Sequence, residues 1–227
     1  GFLEAGSPPL TLPNAAWQSR AAQFAARCAL FLWTDEGARA LAYLHARGIA
    51  DATLRAYHIG YNPEDLHDDH ADWGLLPPKP RKRIWLPRGI TFPWHVDGAI
   101  WRLNIRRPLT PAQIACGQPK YLGPPGFANA LYNAGSLGAD PATALPAVLV
   151  EGELDALTIV QAAGDLVVAV ATGSTAGARR LQWLARLAQA PRVLVAFDVD
   201  ANGAGDAAAA WWLGALPRAQ RWRPLLH

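Results

Sequence analysis

A chain of 227 residues that is 51% apolar, with a formal net charge of +3, is long enough for one large domain or two small ones and can bury a core. It holds no apolar run near the ~20 residues that span a bilayer and no basic-then-apolar secretory leader, so a cytoplasmic location and no membrane partner are expected. Cys28 and Cys116 are too few and too far apart for a disulfide framework or a Cys-x-x-Cys zinc site, and the absence of Met even at position 1 reads as a piece of a longer protein.

Residues 1–13, rich in Pro and Gly, read as an arm or linker. Asn14 is placed to cap a helix running to about Trp33, in which Trp17, Phe24, Cys28 and Phe31 recur near helical spacing. Thr34, followed by Asp35 and Glu36, opens a second helix that Gly48 closes, and Asp51 caps a short third one ending near Gly60. This sets residues 1–60 apart as an N-terminal arm and helical segment.

The stretch from Tyr61 to Pro80 holds five acids and no periodicity and reads as a surface connection. His67 and His70 beside Asp68 and Asp69 fit a polar loop better than a metal site, because i, i+3 ligands need a helix that this composition disfavours. From Arg83 short strands follow, with Asp97-Gly98 as the turn of a hairpin. In the returning strand Arg102, Asn104 and Arg106 alternate with Trp101, Leu103 and Ile105, so the three polar side chains share a face. Between Lys79 and Lys120 nine basic residues stand against one acid, Asp97. Interleaved with Trp85, Trp94 and Trp101, that cluster is the footprint of a polyanion site, the alternative being a solvated basic face. Residues 61–140 are thus a basic, strand-containing subdomain.

Residues 141–227 read as an α/β core. Val148, Leu149 and Val150 form a buried parallel strand ending on Glu151 and Gly152, and Arg192 to Phe197 form another ending on Asp198 and Asp200. Between them lie a helical run (Leu154 to Ala163), an apolar run (Leu166 to Ala171), a Thr172–Thr175 loop and a helical run (Ala176 to Gln189). In such a β-α-β-α-β frame ligands bind beyond the carboxyl ends of the strands, which sets both acidic motifs at one crevice. Asp155 stands one helical turn after Glu151. Carboxylates that close repel one another unless a cation sits among them, and oxygen ligands without Cys favour Mg²⁺ or Mn²⁺, ions suited to phosphodiester and nucleotide chemistry. A lone strand-end Asp is usually a helix cap; two motifs in one frame are harder to obtain by accident. Gly152 lets backbone approach a ligand, and Gly203 begins a helix whose N–H groups face anions.

Glu151-Gly152-Glu153-Leu154-Asp155 followed by Asp198-Val199-Asp200 resembles the TOPRIM domain shared by DnaG-type primases, type IA and type II topoisomerases and some nucleases. Asp198 to Gly203, Pro119-Lys120-Tyr121-Leu122, Leu131-Tyr132-Asn133 and the helical segment Tyr43 to Tyr61 are most similar to primases. The resemblance implies a TOPRIM parallel sheet flanked by helices, preceded by a small helical and mixed α+β basic subdomain. It implies catalytic roles for Glu151, Asp198 and Asp200, metal ligation by these three with Asp155, and nucleotide or nucleic-acid binding by Arg83, Arg102, Asn104, Arg106, Lys120, Gly152 and Gly203. The implied activity is synthesis of short primers from NTPs on single-stranded DNA with Mg²⁺ or Mn²⁺, alongside a replicative helicase or fused zinc-binding or helicase domains. The alternatives are a TOPRIM nuclease and a non-catalytic nucleic-acid-binding module of a larger replication or mobile-element protein.

Overall fold

Asn14 starts the first helix as its residue type predicts: in the computed structural model of the protein its Oδ1 accepts a hydrogen bond from Trp17 N at 2.9 Å. The structure describes residues 11–77, 83–138, 140, 142–174, 176–199 and 203–223. It divides into two compact units, one made of residues 11–94 and 99–128, the other of residues 95–98 and 129–223.

The first unit begins with three helices, α1 (Ala15–Phe31), α2 (Ala38–Ala46) and α3 (Asp51–Ala56). Gly48, at φ 78°, takes the left-handed conformation that stops α2. Asp51 departs from the expected cap: it lies inside α3, after Ala50 at the N-cap, and its carboxylate meets His45 Nε2 at 2.7 Å. The acid-rich connection is also more ordered than its composition suggests, with β1 (Gly60–Asn62), β2 (Leu66–Asp68) and a 3₁₀ turn over His70–Trp73. One distant and one nearby contact supply the order. Asp68 accepts from Arg20 at 2.8 and 3.0 Å and from Trp73 Nε1 at 3.0 Å, which ties up the carboxylate between His67 and His70. Next come β3 (Ile84–Leu86), β4 (Gly89–Val96), β5 (Ala99–Arg106), α4 (Pro111–Ala115) and β6 (Tyr121–Leu122). Strands β1, β4, β5 and β6 make one sheet in that order, and β2 pairs with β3. Asp97 and Gly98, at φ 51° and 80°, have the positive values that a two-residue hairpin turn requires. Trp17, Phe24, Cys28, Trp73, Leu103 and Ile105 belong to the core of this unit, each large side chain contributing roughly 1.5–3 kcal/mol by burial.

The second unit is a four-stranded parallel sheet flanked by helices: β7 (Ala147–Val150), α5 (Glu153–Ala163), β8 (Val168–Ala171), α6 (Leu181–Leu187), β9 (Val193–Val195), α7 (Ala204–Ala215) and β10 (Ala219–Arg221). The strand order is β10-β9-β7-β8, every pair parallel. Every residue of β7 and β8 is buried, as expected for strands covered on both faces. Helix α6 is shorter than the apolar pattern over 176–189 suggests. Ala178 sits at φ 57°, and a Cβ on Gly177 would overlap the Thr172 carbonyl oxygen, so the chain turns tightly before the helix starts. Tyr132 bridges to Ala171 beside β8, and Asn133 Nδ2 donates to Ala169 O at 2.9 Å. Among the described residues no helix is long and apolar enough to cross a membrane.

Candidate acidic site and basic pocket

The parallel register sets the carboxyl ends of β7 and β9 side by side: Leu149 pairs with Val195, and Ala196 N donates to Leu149 O at 2.8 Å. Glu151 follows the last residue of β7, and Asp198 stands three residues beyond β9. The Glu151 carboxylate and the Asp198 backbone both lie against the first turn of α7. A Cβ on Gly205 would lie 3.2 Å from Glu151 Oε1 and would overlap the Asp198 carbonyl oxygen, so only glycine allows the helix to approach this closely. Gly203, at φ 71°, is the N-cap residue of α7.

Gly152 is the N-cap residue of α5, in extended conformation, and Asp155 lies in the first turn. A Cβ on Gly152 would come within 2.9 Å of Asp155 Oδ2, so this glycine also makes room for a carboxylate. Acids in a first turn are favoured by the helix dipole, a setting that Asp155 shares with Glu153, which is buried there at 2% exposure. Glu153 is not among the site residues expected from the sequence, where the motif is carried by Glu151, Gly152 and Asp155. The loop after β8 runs alongside, with Gly173 N donating to Glu151 O at 2.8 Å. Asp200 lies outside the described residues. Among the described residues no three His, Cys, Asp or Glu side chains form a group able to hold a metal.

The basic residues fall into separate settings. Arg102 Nε donates to Asn104 Oδ1 at 2.7 Å, and its guanidinium lies 5.0 Å from the Trp94 ring centre and 4.7 Å from that of Phe127. Asn104 is buried at 3% exposure and works as a holder of Arg102. Arg83 is exposed, 3.6 Å from Asp69. Arg106 is fixed by two hydroxyls, donating to Tyr43 Oη at 2.7 Å and Tyr121 Oη at 2.9 Å.

Arg106 and Lys120 share a pocket of about 470 Å³ with Arg39, Arg88 and Arg107. Arg88 and Arg107 belong to the basic cluster of the sequence. Arg39 does not: it comes from α2, and only the fold brings it there.

Residues 148–222 match the Toprim-like family, a span that includes both acidic strand ends. The fold of the chain is that of the RNA polymerase domain of bacterial primases. The domain of Mycobacterium tuberculosis primase DnaG superposes with a TM-score of 0.71 at 20% identity, covering 93% of this chain and 76% of that one. A DNA primase domain from Pseudomonas aeruginosa gives 0.70 at 22% identity, covering 92% and 71%. The mycobacterial domain in complex with a double-stranded DNA oligomer bearing a 6-nucleotide overhang gives 0.68 at 19% identity, covering 94% and 74%. No curated protein matches the chain in sequence.

Proposed function

We propose that this chain is the catalytic domain of a DNA primase, a nucleotidyltransferase that makes short primers from NTPs on single-stranded DNA. The observation that carries the reading is that β7 and β9 end side by side, with the Glu151 carboxylate and the Asp198 backbone both against Gly205, within the segment that matches the Toprim-like family. The overhang-bearing DNA bound by the mycobacterial domain and the basic character of residues 83–120 support a nucleic-acid substrate.

The donor set fits a hard divalent cation. Glu151 and Asp198 offer oxygen only, and the glycine at 205 keeps a side chain out of the space beside Glu151 Oε1. Glu151, Asp198 and Asp200 would hold Mg²⁺ or Mn²⁺, with Asp155 in support. Such an ion, when bound, neutralises charge developing on the phosphoryl oxygens and favours ionisation of the attacking hydroxyl. Glu151 accepts the proton of the 3′-hydroxyl as it attacks the α-phosphate in line, and pyrophosphate leaves. Arg102, Arg106 and Lys120 bind phosphates of the template or the incoming nucleotide, and the N–H groups opening α7 after Gly203 face anionic oxygen. On this reading a replicative helicase and fused zinc-binding or helicase domains are the natural partners.

The test is formation of dinucleotides and short oligomers from labelled NTPs on single-stranded DNA with Mn²⁺, at high protein and nucleotide concentration. Product that depends on template and disappears in Glu151→Gln supports the reading. Degradation of the template instead makes the protein a nuclease; neither product nor cleavage, with DNA binding retained, makes it a binding module.

A further inference from the structure

We infer that Arg223 belongs to the acidic site, where its guanidinium takes the terminal phosphates of the incoming nucleotide; the inference rests on the catalytic reading above. Parallel pairing sets Leu149, Val195 and Arg221 at one level across β7, β9 and β10. The pairing continues past the strand ends, with Ala196 N donating to Leu149 O at 2.8 Å and Trp222 N to Val195 O at 3.0 Å. Carried two residues on, this register places Arg223 level with Glu151, two strands and roughly 10 Å away at the ~4.8 Å spacing of neighbouring strands. Both side chains turn to the start of α7: Glu151 Oε1 lies against Gly205, and Arg223 Nη2 donates to both oxygens of the next residue, Asp206, at 3.1 and 3.0 Å.

Asp206 does not need Arg223 for its neutralisation. Arg221, its side chain 16% exposed, already donates Nε and Nη2 to Asp206 Oδ1 at 3.3 and 2.9 Å. A second guanidinium gives the triad a net positive charge, carried on a side chain that is 60% exposed. Among the described residues Asp206 is the one partner of Arg223, and it engages Nη2 alone, so the Nε and Nη1 donors remain for a ligand. Guanidinium forks match phosphate oxygens in geometry and charge. When the 3′-hydroxyl attacks, the bond between the α-phosphorus and its bridging oxygen breaks, and the electron pair passes to the leaving pyrophosphate. A cation held beside that group by Asp206 meets the charge as it develops.

Two measurements on the whole chain test it: calorimetric titration with ATP in Mn²⁺, and inhibition of dinucleotide synthesis by pyrophosphate. Arg223→Gln weakens both ligands about tenfold, as loss of a charge-assisted hydrogen bond does, and Arg223→Lys recovers part of each. Affinity for a single-stranded thymidine oligomer stays as in wild type, and the protein remains folded because Arg221 keeps its bonds to Asp206. Arg218→Gln, at an exposed position just before β10, changes neither ligand. The titration needs no turnover, so it reads Arg223 even if the chain alone makes no product. The inference is overturned if Arg223→Gln matches wild type with ATP and pyrophosphate while Glu151→Gln abolishes product; the catalytic reading then stands and Arg223 is a surface partner of Asp206. It is also overturned if Arg223→Gln weakens the oligomer as much as ATP, since the arginine would then contact a running strand. A wild type that neither binds ATP nor makes product removes the catalytic reading, and the inference with it.

Discussion

Gly205, in the first turn of α7, and Glu151, at the end of β7, approach so closely that a Cβ on the glycine would stand 3.2 Å from Glu151 Oε1. The same Cβ would overlap the Asp198 carbonyl oxygen, a backbone atom that cannot swing aside. Gly205→Ala is therefore expected to lower stability by roughly 1–3 kcal/mol, as overpacking does. Gly203→Ala has open space and faces only the cost of its left-handed backbone, about 1 kcal/mol. Thermal denaturation should rank Gly205→Ala below Gly203→Ala; the reverse order would mean that α7 does not pack on the two acids as described.

If the carboxylates around this turn hold a cation, binding to the folded state alone raises the melting temperature. Mg²⁺ or Mn²⁺ should stabilise the protein, and Asp198→Asn should abolish that response while leaving the metal-free protein as stable or more so, because one repulsive charge is gone. Equal metal-induced shifts in both proteins would remove Asp198 from the ligand set.

Arg102, Arg106 and Lys120 are expected to contact phosphates of single-stranded DNA. Affinity should fall with salt, and each substitution to Ala should flatten the log-log slope by about 0.7. An unchanged slope in the triple variant would make the three residues a solvated face.

What the sequence made legible was local. The Asn14 cap, the Asp97-Gly98 turn and the buried β7 and β8 each depend on a few neighbouring residues, and the structure has all of them. What escaped depends on distant partners. Strand β10, Ala-Gln-Arg, has no apolar pattern and exists because Arg221 reaches Val195 O at 3.0 Å and the chain pairs with β9. Asp68 looked like one acid among five until Arg20, 48 residues away in α1, closed on it. Arg39 entered the basic pocket from a helix whose composition announced nothing. In the acidic motifs spacing set an expectation only: Glu151 directly follows β7, but β9 stops at Val195, short of the strand to Phe197 that the apolar pattern suggests, so Asp198 sits on the loop beyond it, and Asp200 lies outside the described residues.

The two cysteines should differ sharply in reactivity. Burial pushes the Cys28 thiol up to about 12, while Cys116 is exposed. Since the thiolate is the reactive form, a thiol reagent at pH 8 should modify one site in the folded protein, at Cys116, and the second only in denaturant. Two equivalents consumed at equal rates without denaturant would show that α1 does not bury Cys28.

Acid should act on the tie that closes the sheet edge. Asp206, in the first turn of α7, accepts from Arg221 Nη2 at 2.9 Å and from Arg223 Nη2 at 3.0 Å. Arg221 first and Arg223 second hold its carboxyl below the usual carboxylate range. A depressed folded-state value means that the stabilisation is complete above the unfolded value, near 3.9, and is lost as pH falls through the lower folded one. Wild type should therefore melt higher than Asp206→Asn at pH 7, and the gap should narrow from about pH 4 downward. The carboxylate is exposed, so the gap at pH 7 should be modest and should shrink further in about 1 M salt, where ions screen surface pairs. Melting curves that stay parallel from pH 7 to pH 2 would mean that the Arg221 and Arg223 contacts contribute nothing through charge, leaving the Arg221 bond to Val195 O and the strand pairing to hold β10 alone.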